Sequence, residues 1–336
     1  MTCPYGGVCE SSDVDVAVLG LGLIGGSLLQ ALAAAGHRVV GFDADPATRG
    51  TARTAAARAR SGARWQVAGT MHDALASAEL VVLAVPAPAL SAVVAELDDF
   101  DGLITDVTSI KGPVRELTEN LRFVGGHPMA GKETSGFRAA EPGLFEGCAW
   151  VLCLDQETET ADWLLLAELI TGLGARVVPS TAADHDRAVA AVSHVPHLLA
   201  AALTGVVADE PFAAAVAAGS FRDGTRVAAT RPELIAAMCG GNAAAVQEAL
   251  DEVRKNLDAL GTALSAPDPV KALRPLLAPT SSARAAWPPT PGDQAELPAR
   301  RDVLLRLGRV GGWVTEVDRE RRRVTAMRPE TDRNSP

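Results

Sequence analysis

Cysteine, long uncharged apolar runs and positive charge are all scarce in this sequence. Its 336 residues include five cysteines, Cys3, Cys9, Cys148, Cys153 and Cys239, an odd number with no CxxC pair. That composition speaks against a disulfide framework and for a reduced, cytoplasmic compartment, with Cys148, Cys153 and Cys239 as small core hydrophobes. No stretch reads as reaching the roughly 18 uncharged apolar residues of a membrane span, so no membrane partner is expected. Residues 1–12 lack the basic start and apolar run of a secretory signal and read as a disordered lead. Lysine and arginine total 31 against 41 aspartates and glutamates, a net charge of −10. A general phosphate-backbone binder carries a basic face, so nucleic acid is not an expected partner. No internal repeat is apparent.

What is present is apolar bulk. Hydrophobic residues make up 48% of the chain, enough for a sizeable core. The length suits about two domains at roughly 100–200 residues each. From Asp15 to Val178, short β-rich runs alternate with Ala/Leu-rich helical stretches. The runs are Val16–Leu19, Arg38–Phe42, Leu80–Val85, Leu103–Val107, Phe123–Gly125, Ala149–Leu154 and Arg176–Val178. Continuous apolar strands separated by helices predict a mostly parallel sheet covered on both faces. Residues 181–264 carry almost no strand signal and read as a separate helical domain. Its clearest helix has the stripe Val246, Leu250, Val253, Leu257, Leu260 and Leu264, with Asn242 as N-cap. Residues 267–298 hold eight prolines and read as an irregular connection. Beyond it, Val303–Leu307, Trp313–Val317 and Arg323–Met327 read as three short strands.

Gly20-Leu21-Gly22-Leu23-Ile24-Gly25 follows a strand and opens an Ala/Leu-rich helix. Gly20 permits a tight turn, Gly22 lets a pyrophosphate approach the backbone, and Gly25 lets helix and strand pack closely. The freed N–H groups and the helix dipole hold phosphates. Asp43 ends the second strand, where a carboxylate accepts ribose hydroxyls and repels a 2′-phosphate, so NAD is the expected cofactor rather than NADP. Leu23 and Ile24 in the turn, and Val85 and Pro86 after the run Leu80–Val85, complete the expected cofactor contacts. This makes the first half an α/β Rossmann-type domain.

Asp106-Val107-Thr108-Ser109-Ile110-Lys111 emerges at the carboxyl edge of that sheet, where ligands bind in open α/β folds. Asp106 or Ser109 is also placed to cap a helix starting near Lys111. His127-Pro128 follows Phe123–Gly125, and a neutral imidazole there can accept a hydroxyl proton as hydride leaves carbon. His185, Ser193, His194 and His197 lie on one expected helix that Pro196 kinks. No Cys, Asp or Glu stands at ligand spacing from His194 and His197, so no metal is expected. Gly219–Arg226 reads as a glycine-framed loop whose guanidinium suits bidentate carboxylate binding.

Five segments in order, GLGLIGGS at 20–27, DVTSIK at 106–111, HPMAGKETSG at 127–136, SHVPH at 193–197 and FRDGTR at 221–226, together resemble the prephenate/arogenate dehydrogenase family of tyrosine biosynthesis. The resemblance implies an NAD-dependent oxidative decarboxylation of a small cyclohexadienol, in which the ring loses hydride and CO2 and becomes aromatic. It implies His127 as base and Ser109 as the residue orienting His127, the hydroxyl and the nicotinamide. Arg226 would grip a substrate carboxylate and His197 the substrate side chain. Glu133 and Asp223 would frame the pocket, Lys132 would be a weaker contact, and His185, Ser193 and His194 would support it. The resemblance also implies a homodimer joined through the helical domain. The expected organisation is a lead at 1–12, the NAD-binding Rossmann domain at 13–179 and an all-α substrate and dimerisation domain at 180–266. The Pro-rich connection at 267–298 and a short C-terminal β-rich tail at 299–330 follow, without the βαββαβ pattern of a regulatory ACT domain. Many relatives carry Trp where Ile235 aligns, so the substrate-facing wall differs here.

Other readings remain on the same residues. A 4-amino-4-deoxyprephenate dehydrogenase of specialised metabolism would share the motifs. A β-hydroxyacid dehydrogenase or imine reductase shares the nucleotide half but usually carries a lysine in a glycine-rich helix motif, where this chain has SHVPH. An NAD-sensing regulator would need a DNA-reading module or a basic face, and neither is visible.

Overall fold

The first apolar runs become strands because each is continuous, β-branched and bounded by turn residues. In the computed structural model, which describes residues 14–60, 62–132 and 134–330, they are β1 Asp15–Leu19, β2 Arg38–Phe42, β4 Leu80–Leu83, β5 Leu103–Asp106 and β6 Phe123–Val124, joined by β3 Gln66–Val67, which no apolar run announces. The expected lead at 1–12 and Glu133 lie outside the described residues. All pairings in this sheet are parallel, in the order β3, β2, β1, β4, β5, β6. Val16–Leu19 and Leu80–Leu83 are buried throughout, as a sheet covered on both faces requires. The chain leaves β1 toward one edge and returns to β4 on the other side, so the switch point of the winding falls between β1 and β4.

Contacts divide the chain into two compact units: Met1–Thr108, Thr118–Trp150 and Glu168–Arg176 in the first, Ser109–Leu117, Val151–Ala167 and Val177–Pro336 in the second. The first holds the parallel sheet and the short strand β7 Gly126–Pro128. The second contains most of a sheet running β10, β12, β11, β9, β8, with β8 Ala149–Cys153 and β9 Arg176–Ser180, whose first residues fall in the first unit, and β10 Pro291–Pro298, β11 Trp313–Asp318 and β12 Arg323–Pro329. The C-terminal strands pair antiparallel, and Val314 of β11 joins Val177 of β9.

A continuous helix spans residues 182–207, opened by Thr181, whose hydroxyl accepts the Asp184 N–H at 3.1 Å. Its turn at Ala190–His194 is a wide π turn directly before Pro196, whose ring removes one N–H from the ladder. By length and composition this helix could cross a membrane, which corrects the expectation that no stretch is so apolar. Its His185, Asp186 and His194 are buried in the protein's own hydrogen-bond network. The striped helix Ala243–Leu264 packs Val246 against Ala190 and Val195, with Leu250 and Val253 alongside. Leu257 and Leu264, further along the stripe, are 55% and 61% exposed.

Three further expectations differ from the structure. The Pro-rich segment 267–298 is regular: a helix over Pro269–Ala285 and then β10. Asp268 caps that helix through the Lys271 N–H, and good helix formers flank Pro275 and Pro279 inside it. Val303–Leu307 is not a strand but part of the helix Arg301–Arg309; Leu304 and Leu307 lie three apart, on one helical face, and are buried. The loop expected at 219–226 is a helix over Gly219–Thr225, continued by a tight turn at Arg226–Ala229. Its glycines fall at or near the helix ends, where they weaken it least.

Candidate active site

The glycine turn is built by steric necessity at two of its three glycines. Gly20 has φ +98°, and a Cβ there would lie 2.5 Å from the Ala84 carbonyl oxygen. A Cβ on Gly25 would lie 1.9 Å from the Gly20 oxygen. A Cβ on Gly22 would meet nothing within 4 Å, so its smallness serves no packing inside the chain and leaves open space at the N-terminus of the helix Leu23–Ala34. Asp43 reaches back to this turn: its Oδ2 accepts the Leu21 N–H at 2.8 Å and its Oδ1 the Asp45 N–H at 2.9 Å. The arrangement fits a dinucleotide, with the open N–H groups for the phosphates and the carboxylate at the end of β2 for a ribose. Val85 follows directly on Ala84, against which Gly20 turns, and Pro86 opens the next tight turn.

Asp106 closes β5 and is fully buried. Its Oδ2 accepts the Thr108 N–H at 3.0 Å and the Thr108 hydroxyl, and its Oδ1 accepts the Gly126 N–H at 3.0 Å. It therefore organises the strand start on which half-buried His127 stands, rather than capping the helix after Lys111. Lys132 pairs with Glu141 at 2.6 Å.

In the second unit, the cap of the helix Gly112–Leu117 comes from far along the chain. Asp186 Oδ1 accepts the Lys111 N–H at 2.8 Å and Oδ2 accepts the Gly112 N–H at 2.7 Å. The His185 Nδ1 lies 2.7 Å from the same Oδ1, so that imidazole carries its proton on Nδ1. Burial pushes the Asp186 carboxyl up, but the hydrogen bonds from His185, Gly112 and Lys111 outweigh it and hold the group below the usual carboxylate range. Asn242 does not cap its own helix with its side chain; its Nδ2 donates to the Asp186 carbonyl at 2.7 Å and approaches His194 Nδ1 at 3.3 Å. An amide nitrogen can only donate there, so the His194 proton sits on Nε2. That Nε2 is buried without a partner, and burial lowers the His194 pKa to about 4.

His197 Nδ1 lies 2.8 Å from the Ser193 carbonyl, which fixes the proton on Nδ1 and leaves Nε2 for a ligand. Arg226 is exposed at the end of the helix Gly219–Thr225, and Asp223 pairs with Arg222 at 3.1 Å on the surface. Asp186 is the organising residue that the sequence motifs do not contain; Asp106 and Asn242, expected as helix caps, instead bond remote backbone groups. The one local signal for Asp186 is its place beside His185 in the first turns of a long, mostly apolar helix that also carries Asp184 and Arg187. Among the described residues no group of three or more His, Cys, Asp or Glu is placed to hold a metal ion.

A parallel sheet with this winding, a glycine turn and a carboxylate ending its second strand defines a dinucleotide-dependent oxidoreductase. Residues 29–179 match the nucleotide-binding domain of prephenate dehydrogenase, and residues 181–276 its dimerization domain. The chain belongs to the prephenate dehydrogenase family. It is 35% identical to a putative prephenate dehydrogenase from Corynebacterium glutamicum of known structure, with 82% of this chain and 87% of that chain covered and a TM-score of 0.75. It is 30% identical to the prephenate dehydrogenase of Bacillus subtilis, over 74% of this chain and 69% of that protein. It is 32% identical to the cyclohexadienyl dehydrogenase of Zymomonas mobilis, over 75% of this chain and 89% of that protein.

Proposed function

We propose that this protein is an NAD-dependent dehydrogenase of prephenate or arogenate, acting in tyrosine biosynthesis as a cytoplasmic homodimer. The observation that carries this reading is the glycine turn, open at Gly22 with Asp43 accepting the Leu21 amide beside it, in a chain that matches the family's nucleotide-binding and dimerization domains. The reaction balances as follows: the hydroxyl-bearing ring carbon loses hydride, the hydroxyl loses its proton, and the bond to the ring carboxylate breaks. That bond's electrons run through the ring to the carbonyl oxygen, which takes the proton back from the base; the ring becomes aromatic and CO2 departs. NAD, when bound at Gly20, Gly22, Leu23, Ile24, Gly25, Asp43, Val85 and Pro86, supplies the hydride acceptor.

The chain's own residues supply position and proton transfer. His127 takes the hydroxyl proton as the carbonyl character develops. Ser109 orients that hydroxyl. Arg226 holds a carboxylate through its planar fork. His197 offers Nε2 to the substrate side chain, Glu133 and Asp223 are assigned to the substrate by the family motifs, and Lys132 is a lesser contact. Aromatisation drives the step, so few groups need to act. The exposed Leu257 and Leu264 extend the stripe of the helix Ala243–Leu264 and form part of the surface a second copy covers.

The test is NADH production with prephenate, arogenate and 4-amino-4-deoxyprephenate offered separately. Turnover of prephenate or arogenate is expected. Turnover of the amino analogue alone would move the protein to specialised metabolism, and no turnover of any of the three would overturn the reading.

A further inference from the structure

We propose that Asp186 is a positioning residue for this reaction: its carboxylate fixes the Ser109–Gly112 turn on the helix that carries His197, and so sets where the Ser109 hydroxyl stands. The inference rests on the roles given to Ser109 and His197 above. No motif contains Asp186, and no contact of its own with substrate or cofactor is invoked.

Three segments distant in sequence meet at this one residue. Its two carboxylate oxygens accept the Lys111 and Gly112 amides, 75 and 74 residues away, and His185 braces the same carboxylate from its own helix. Its backbone carbonyl accepts Asn242 Nδ2. The junction is dry: Lys111 is 1% exposed, His185 2%, Asn242 7% and Asp186 8%. A buried amide that loses its acceptor has no solvent to turn to. The fit is also tight in space. A Cβ on Gly112 would stand 3.1 Å from Asp186 Oδ2, and one on Gly241 would stand 2.5 Å from Ile110 Cδ1. The turn is therefore gripped by a carboxylate at Lys111 and Gly112 and by a bare backbone against Ile110.

The grip ends two residues from Ser109. A backbone held at Lys111 and Gly112 by two charge-assisted bonds cannot carry Ser109 far without breaking them. Misplacement of a reacting group by about 1 Å can lower turnover about 10²-fold. A purely structural role would lower stability and leave Ser109 where it is. A positioning role moves turnover through Ser109.

The experiment compares wild type, Asp186→Asn, Ser109→Ala and the double variant. In Asn one oxygen becomes an NH2 that cannot accept either amide. Turnover, KM, NAD affinity and hydrogen exchange of the 106–117 segment are measured for each. Asp186→Asn is expected to lower kcat about 10²-fold, to leave NAD affinity unchanged and to speed exchange of the Lys111 and Gly112 amides. The double variant is expected to match Ser109→Ala, because residues acting as a unit are not additive. Multiplication of the two losses, or unchanged exchange of those amides, would overturn the proposal. If the wild type turns over none of the offered substrates, the functional reading fails separately, and the exchange measurement alone still decides whether Asp186 holds the turn. Should Asp186→Asn not fold, Asp186→Glu keeps both acceptors on a longer stem. It is expected to retain amide protection and lose kcat, and wild-type kcat in that variant would overturn the proposal.

Discussion

Asp106 accepts the Gly126 N–H at 3.0 Å, and Gly126 is the residue immediately before His127. A buried carboxylate at the end of β5 thus fixes the start of β7, on which the proposed base stands. Asp106→Ala leaves that buried amide unsatisfied, at a cost of about 1–3 kcal/mol. Urea unfolding should show a lowered midpoint, and an unchanged midpoint would remove Asp106 from this role.

His127→Asn preserves the approximate shape of the side chain and removes its basicity. Turnover should fall by about 10²–10⁴-fold while NAD affinity stays nearly constant. An unimpaired variant would sink the assignment of His127 as base.

The two glycines Gly22 and Gly25 should respond in opposite ways to the same added methyl. In Gly25→Ala the new Cβ meets the Gly20 carbonyl oxygen at 1.9 Å, so the turn itself must distort and the melting temperature should drop. Gly22→Ala meets nothing of the chain within 4 Å, so its melting temperature should match wild type. Its NAD affinity should nonetheless fall about tenfold or more, since the methyl occupies the approach to the phosphate-binding amides. Wild-type affinity in Gly22→Ala would contradict the placing of the pyrophosphate.

Asp43 should make the enzyme strongly prefer NAD over NADP in matched assays. Equal rates with the two would refute its role. Asp43→Asn should narrow the preference, and because Asp43 also braces Leu21 and Asp45, some affinity for NAD should be lost with it.

His194 gives stability an acid limb. Burial lowers its pKa from 6.5 to about 4 in the folded protein. The unfolded chain therefore binds a proton there at a pH where the folded chain does not. Stability from this group is complete above about pH 6.5 and is lost progressively as pH falls toward 4, by at most about 3 kcal/mol at 1.36 kcal/mol per unit. His194→Gln should flatten the fall in unfolding free energy between pH 6.5 and 4. An identical slope in wild type and variant would show that other groups carry it.

The sheet of the first unit was readable because β1, β2, β4 and β5 are uninterrupted apolar runs, a local property. The glycine turn was readable because strand, spacing and helix all lie within one short segment. The helix Pro269–Ala285 was not, since Pro275 and Pro279 signal a break that the flanking helix formers and the Asp268 cap override. Val303–Leu307 misled by its β-branched opening, while its deciding feature, the burial of Leu304 and Leu307 on one face, belongs to packing. Asp106 and Asp186 act through backbone amides of remote residues, and an amide carries no residue identity by which a sequence could announce it.

The wide turn at Ala190–His194 makes the helix 182–207 a phase shifter. It takes up more residues than an α turn, so His197 and everything beyond it face a direction different from that of an unbroken helix. Wound as an unbroken α-helix, the same residues would rotate the following segment by roughly 100° around the axis, about one residue's worth. The histidine would then point elsewhere without any change in its neighbours along the chain. The aim of the proposed substrate contact is thus encoded in a residue count rather than in the identity of any side chain.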